Sequence, residues 1–352
     1  MHETVQQRIP SRIAYLDNLR AIAAFVVVLV HVAAQNWYSV DISSLTWMIF
    51  NLFDSAGRWV VPVFVMVSGV VFLNKTTPVK VIFTKYILRL VTAYVFWSLV
   101  YAVAEGGDTQ TILMNILLGH FHMWFIPMMI GLYLCIPVYK KITEDDSVTR
   151  YFIALSFCIS FFIPHVILLI KDFGPGLINA LVISAEPNFG SIKMSMMLGY
   201  SSYFVLGYYL NKVEFSGKQQ RIIYVLGIAG YLATVLMTHL ASQHGLSPNH
   251  NYYNEFTVNN FFQAVAVFVF FKYHSRSEVK PNKVCAAVSR ASFGIYWVHA
   301  LIMELLDEKL LINTLSFFPA LSVPGISIVV FVISFLISWG IGKVPFIKRY
   351  IV

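Results

Sequence analysis

Ten apolar stretches of roughly twenty residues each dominate this 352-residue chain, and they leave it one environment in which to fold. They run approximately over 13–34, 45–73, 82–104, 121–139, 151–170, 194–211, 221–240, 256–272, 290–307 and 321–342. Such a length matches the hydrocarbon core of a bilayer, where the backbone must satisfy its own hydrogen bonds, so each stretch is expected to be a helix. The composition points the same way: 58% of residues are hydrophobic and 12% charged, against about 25% charged in a soluble domain. The expected fold is all-α, a polytopic transmembrane helix bundle of about ten spans. It is read as a single domain over 1-352, with no segment long enough to form an appended soluble domain.

The second stretch is too long for one straight crossing and contains Asp54, Gly57, Arg58 and Pro62, so a bend or break is expected near its polar middle. The net charge of +8 does not point to nucleic acid, because the basic residues sit in short loops, where they orient spans. With the N-terminus inside, twenty Lys and Arg residues fall on the cytoplasmic side and only Lys171, Lys193 and Lys309 on the other, which predicts both termini cytoplasmic. No cleavable signal peptide or internal repeat is evident. Cys135, Cys158 and Cys285 lack ligand-like spacing and read as buried thiols, neither a disulfide framework nor a metal site.

The polar residues inside the apolar stretches carry the functional signal. Arg20 and His31 lie on the first stretch, and a central Arg costs roughly 2.5–3.5 kcal/mol on insertion scales. Eleven residues make about three helical turns, so the two share a face and stand about 16 Å apart along the axis. Asp17 is a candidate i, i+3 partner for Arg20. His31 by itself reads either as a structural imidazole bonded to a carbonyl or as a base that titrates near neutrality. Arg58 either snorkels to the interface or pairs with Asp54 one turn earlier. Ser68-Gly69 fits close helix packing, His122-Met-Trp124 fits an interfacial anchor, and Tyr296 with His299 fits packing within the bundle. The predicted outer loops Gln35-Asn-Trp-Tyr38 and Gln243 to Glu255 are rich in aromatic and amide side chains and contain no Lys or Arg. They suit a neutral sugar better than a phosphate-rich ligand. Metalloprotease, Walker, nucleophile-elbow and dinucleotide signatures are all missing from the sequence.

Four motifs, in order along nearly the whole chain, carry a family likeness. Tyr15-Leu-Asp-Asn-Leu-Arg20 followed by His31 resembles the Arg-x10-His pattern of the acyltransferase 3 family of integral membrane acyltransferases. Arg58-Trp-Val-Val-Pro-Val-Phe64 with Ser68-Gly69, His122-Met-Trp-Phe-Ile126 and Ser292-Phe-Gly-Ile-Tyr296 with His299 are similar to three further segments of that family. The resemblance implies a multi-pass enzyme of the bacterial inner or plasma membrane. Its donor would be a cytoplasmic acyl-CoA, most simply acetyl-CoA, bound as a substrate with no tightly held cofactor. Its acceptor would be an extracytoplasmic glycan or lipid-linked sugar.

On that reading His31, Arg20 and Arg58 are the catalytic candidates, with His31 as general base and Arg58 as oxyanion donor. Asp17, Ser68, His122, Trp124, Tyr296 and His299 are the substrate-binding candidates. The Arg20–His31 separation is comparable to the pantetheine arm of CoA, whose nucleotide would dock at the basic inner mouth near Lys75, Lys85 and Arg89. A covalent acyl group on His31 or Ser68 is the alternative to direct transfer. Partners beyond donor, acceptor and membrane lipid are not implied, and a homodimer is left open because no heptad or GxxxG run argues for one. The competing function is a polysaccharide exporter or small-molecule transporter, for which ten spans and buried charge would also serve.

Overall fold

A computed structural model describes residues 13–191, 194–275, 282–345 and 350–351, with 185–191 and 194–197 described by backbone alone. Both termini, and the basic residues Arg8, Arg12, Lys193, Arg276, Lys280, Lys348 and Arg349 of the charge count, lie outside the described residues. Among those described, every regular element is helical. The principal helices are α1 (Ala14–Ala34), α2 (Leu45–Ser55), α3 (Val60–Leu73), α4 (Val79–Glu105), α5 (Thr109–Leu134), α6 (Asp146–Phe173), α7 (Met194–Lys212), α8 (Gly217–Gly245), α9 (Val258–His274), α10 (Lys283–Leu310) and α11 (Pro319–Ile341). This is a multi-pass, all-α membrane bundle.

Eight helical stretches in the described residues are long and apolar enough to cross a membrane, with α2 and α3 counting as one. The expected spans 194–211 and 256–272 also form helices, α7 and α9, but outside that set of eight. Helix α9 is short, 17 residues, and its first turns carry a run of amides. Asn259, Asn260 and Gln263 are buried and bonded, with Gln263 Nε2 donating to Thr234 Oγ1 of α8 at 2.9 Å. These polar groups find partners inside the protein, which an isolated lipid-facing helix would not offer.

The expected break in the second stretch falls between Ser55 and Val60. Asp54, the last buried carboxylate before it, pairs with Arg58 within it. The segment read from sequence as the loop before 121 contains instead a helical turn set, Thr109–Leu118, capped by Asp108. Gly119, at φ +70°, ends that set in a conformation other residues adopt with strain. A 3₁₀ turn, Phe121–Trp124, then carries His122 into the interior. The cysteines are free thiols, but none is fully buried as expected: Cys135 and Cys285 are half-buried and Cys158 is exposed. An apolar residue on the rim of a membrane bundle need not be covered by protein.

The centre of the bundle is α1, packed on α2, α3, α10 and α11. Three polar rungs tie it to α10: Ser289 Oγ donates to Asp17 Oδ1 at 2.7 Å, His31 meets His299 at 2.7 Å, and Gln35 Nε2 donates to Asp307 Oδ2 at 3.0 Å. The residue numbers rise together, so the two helices run parallel. On the other side α3 crosses α7 with almost no gap, because a Cβ on Gly69 would overlap the Phe204 carbonyl. Ser68-Gly69 thus divides its work: glycine admits the neighbouring backbone, and the serine beside it faces inward.

Candidate active site

Two cavities meet where the chain breaks between α2 and α3. The larger, about 480 Å³, is bounded by α1, α3, α4, α5 and α10. Eight of the nine site residues expected from sequence line it: Arg20, His31, Arg58, Ser68, His122, Trp124, Tyr296 and His299. The ninth, Asp17, is set apart from the lining, buried at the α1–α10 contact where it accepts the Ser289 hydroxyl. Arg20, one turn on, lines the cavity itself.

The cavity has two chemically distinct ends. One gathers guanidinium groups from three helices, Arg20 of α1, Arg89 of α4 and Arg290 of α10, with Tyr86 and Tyr133 beside them. Of the three phosphate-binding candidates Lys75, Lys85 and Arg89, the cavity wall includes Arg89, which lies 5.0 Å over the Phe293 ring. Lys75 and Lys85 instead flank the Tyr86 ring at 5.8 and 5.4 Å. A π-helical turn, Ile82–Ile87, stands where Tyr86 reaches the wall.

The other end is built on imidazoles. His299 Nδ1 lies 2.8 Å from the Tyr296 carbonyl oxygen and 3.2 Å from that of Ile295. A carbonyl only accepts, so His299 carries its hydrogen on Nδ1 and presents a bare Nε2. That Nε2 is 2.7 Å from His31 Nδ1, which must therefore donate. The two neutral rings lie nearly parallel, 8° apart. This leaves the lone pair of His31 on Nε2, the free edge of a cavity-lining ring.

A second chain of bonds reaches the cavity from another direction. His120 Nε2 is 2.7 Å from Glu304 Oε1, and His120 Nδ1 is 2.9 Å from His122 Nδ1. By the same reasoning His120 donates to the carboxylate and accepts from His122, which leaves His122 Nε2 as an acceptor. That atom is buried without a hydrogen-bond partner. Tyr101 holds the arrangement, stacking on His120 at 4.3 Å and donating to the Trp297 carbonyl at 2.7 Å. Tyr296 fixes the turn from α10, its hydroxyl donating to the His122 carbonyl at 2.8 Å.

Arg58 stands at the junction of the two cavities. One terminal nitrogen pairs with buried Asp54 and the guanidinium lies 4.0 Å over the Tyr253 ring, while its Nε is buried without a hydrogen-bond partner. The smaller cavity, about 290 Å³, is lined by Ala34, Trp37, Tyr38, Asp54, Arg58, His250, Asn251, Tyr253, Asn254 and Glu255. Glu255 also lines the larger one. Burial raises the Glu255 carboxyl above the usual carboxylate range, and nearby Arg58 opposes that shift. Sequence reading did not single out Glu255, Glu304, Tyr133 or Arg290. Glu255 had a visible signal, as the acidic end of the aromatic and amide loop, whereas the others face the site only through helix packing.

No curated protein and no solved structure matches the chain. A family model described as an acyltransferase domain matches residues 13–341, nearly the whole length and all four motifs. Arg20, His31, Arg58, Ser68, His122, Trp124, Tyr296 and His299 of the larger cavity come from those motifs, and the chain belongs to the acyltransferase 3 family of membrane acyltransferases.

Proposed function

We propose that this acyltransferase moves an acetyl group from cytoplasmic acetyl-CoA to a hydroxyl of an extracytoplasmic glycan or lipid-linked sugar, at the bacterial inner or plasma membrane. One observation carries the reading: a single cavity joins a guanidinium-rich end to an imidazole whose free nitrogen is a base. The parallel run of α1 and α10 suits the first and ninth crossings of a ten-span chain with its N-terminus inside. In that orientation the arginine end faces the cytoplasm and the histidine end the far side. A polyanionic nucleotide is drawn to the arginines, and the pantetheine arm extends toward His31.

Direct transfer then follows from the bond pattern. His31 Nε2 takes the proton of the acceptor hydroxyl as its oxygen attacks the thioester carbonyl, forming the new C–O bond. His299 accepts the His31 Nδ1 hydrogen, so it holds the ring in the tautomer that can act as base and steadies the imidazolium that forms. The Arg58 Nε–H is the unengaged donor for the oxyanion. Collapse breaks the C–S bond, and His31 returns the proton to the departing thiolate, so protons balance without an external acid. Ser68 Oγ is engaged with the Phe64 carbonyl at 3.0 Å, which favours direct transfer over a seryl intermediate.

The test uses the purified full-length protein in nanodiscs with acetyl-CoA labelled in its acetyl group. The expected result is CoA release and label transfer that need both a glycan acceptor and His31. A well-inserted His31→Ala protein that acetylates glycan at the wild-type rate overturns the mechanism. Glycan flux into sealed vesicles without acyl donor, with no CoA release, would assign the chain to transport instead.

A further inference from the structure

The smaller cavity, which joins the larger one at Arg58, is built like a ligand site. Its floor and one wall are the segment Asn251–Glu255, and that segment is anchored from behind at four points. Asn259 and Asn260, both buried, donate to the Tyr252 carbonyl at 2.9 and 3.0 Å. Tyr253 Oη donates to Asn51 Oδ1 at 2.7 Å, and Tyr203 Oη to the Glu255 carbonyl at 2.6 Å. Asn251 and Asn254, both exposed, line the cavity; Asn254 Oδ1 also accepts the Phe256 N–H at 2.8 Å, whereas the Asn251 side chain takes no part in that backing. Opposite them stand Trp37, itself buried, and Tyr38, which is 63% exposed. Rigid backing with free polar ends is the design of a recognition wall.

We propose that this cavity is the acceptor subsite and takes a pyranose ring of a neutral or amino sugar; the assignment rests on the acyltransfer reading above. Three features select that class. The exposed ring of Tyr38 offers flat apolar surface for the C–H face of a sugar ring, while the amides and carboxylate offer both donors and acceptors for its hydroxyls. The volume, about 290 Å³, lies at the small end of ligand pockets of roughly 300–1,000 Å³, which suits a ring or two at the end of a glycan. The charge balance disfavours acidic sugars. In this wall two carboxyl groups, Asp54 and Glu255, stand against one guanidinium, Arg58, which is already paired with Asp54. A uronate or phosphate would meet Glu255 directly. Because Arg58 and Glu255 belong to both cavities, a ring seated here directs a hydroxyl through their junction toward His31.

The experiment measures binding before chemistry. Fluorescently labelled neutral, amino-sugar and uronate oligosaccharides are titrated onto the full-length protein in nanodiscs, without acyl-CoA. Neutral or amino-sugar probes are expected to saturate, uronates to bind at least tenfold more weakly. Tyr38→Ala and Asn251→Ala, both at exposed positions, should each weaken binding about tenfold, and Tyr38→Phe, which keeps the ring, should restore most of it. Uronate preference, no saturable binding of any neutral or amino-sugar probe, or affinities unmoved by both alanine variants would overturn the assignment. CoA release is then followed in the same preparations. Saturable, Tyr38-dependent glycan binding without any CoA release would sink the acyltransfer reading and leave a glycan site standing.

Discussion

The two ends of the larger cavity both concentrate nitrogen in an apolar surround, but they organise it in opposite ways. At the histidine end the rings are tied in two pairs by directional bonds, and two backbone carbonyls and a carboxylate fix which nitrogen carries hydrogen. At the arginine end the guanidiniums come from three helices and gather around aromatic rings, an arrangement that accumulates charge without prescribing an angle. Proton transfer needs a lone pair in one place and one direction, so it belongs with the first. Capture of a polyanion needs charge at short range and tolerates several poses, so it belongs with the second.

Substitutions should separate these roles, and the largest loss is expected at His31. His31→Ala removes the base and should lower acceptor-dependent CoA release by about 10²–10⁴-fold, with insertion unchanged by fluorescence-detected size exclusion. Arg58→Lys keeps the charge but loses the Nε–H, and kcat should fall about 10²-fold with little change in the KM for acetyl-CoA. His299→Phe keeps the packing yet frees the His31 tautomer, for an expected loss of about 10–100-fold in kcat, by analogy with other histidine-orienting partners. A His299→Phe enzyme with wild-type kcat would show that the imidazole pair is only packing.

At the arginine end the signature should change from kcat to KM. Arg89→Ala should raise the KM for acetyl-CoA about tenfold, the worth of one charged hydrogen bond, while kcat holds. If kcat falls instead, the division between the two ends is wrong. The smallest effect is expected from Ser68→Ala, which should transfer acetyl at close to the wild-type rate. Protein-bound label in the wild type that disappears in Ser68→Ala would replace direct transfer by an acyl-enzyme.

Much of this was legible along the chain because a membrane makes polar residues conspicuous. Arg20, His31 and Arg58 stand out of apolar runs, and the broken second stretch follows from Asp54, Gly57 and Arg58 in its middle. Other expectations depended on a direction that spacing does not supply. Asp17 lies at the α1–α10 contact with Ser289 and outside the cavity lining, while Ser68 and Gly69, adjacent in sequence, serve the cavity and the α3–α7 contact separately. The helix at Thr109–Leu118 was missed because its apolar residues fill too short a run to register as a span. The free thiol at Cys158 is exposed because the rim of a bundle in lipid is apolar without being covered.

The sequence by itself determined the class of fold, the family, and the residues whose burial in an apolar run demands a purpose. These are local properties, set by hydropathy over twenty residues and by side-chain chemistry at single positions. Tertiary structure alone decided the state of the base. His31 becomes an acceptor at Nε2 because His299, 268 positions later, is itself oriented by the carbonyls of its own helix and presents a bare nitrogen. The same holds for Glu255, which borders both cavities only because buried amides on α9 hold its loop in place. A hydrogen bond depends on distance and angle between groups the chain brings together, and no pattern along the chain encodes either one.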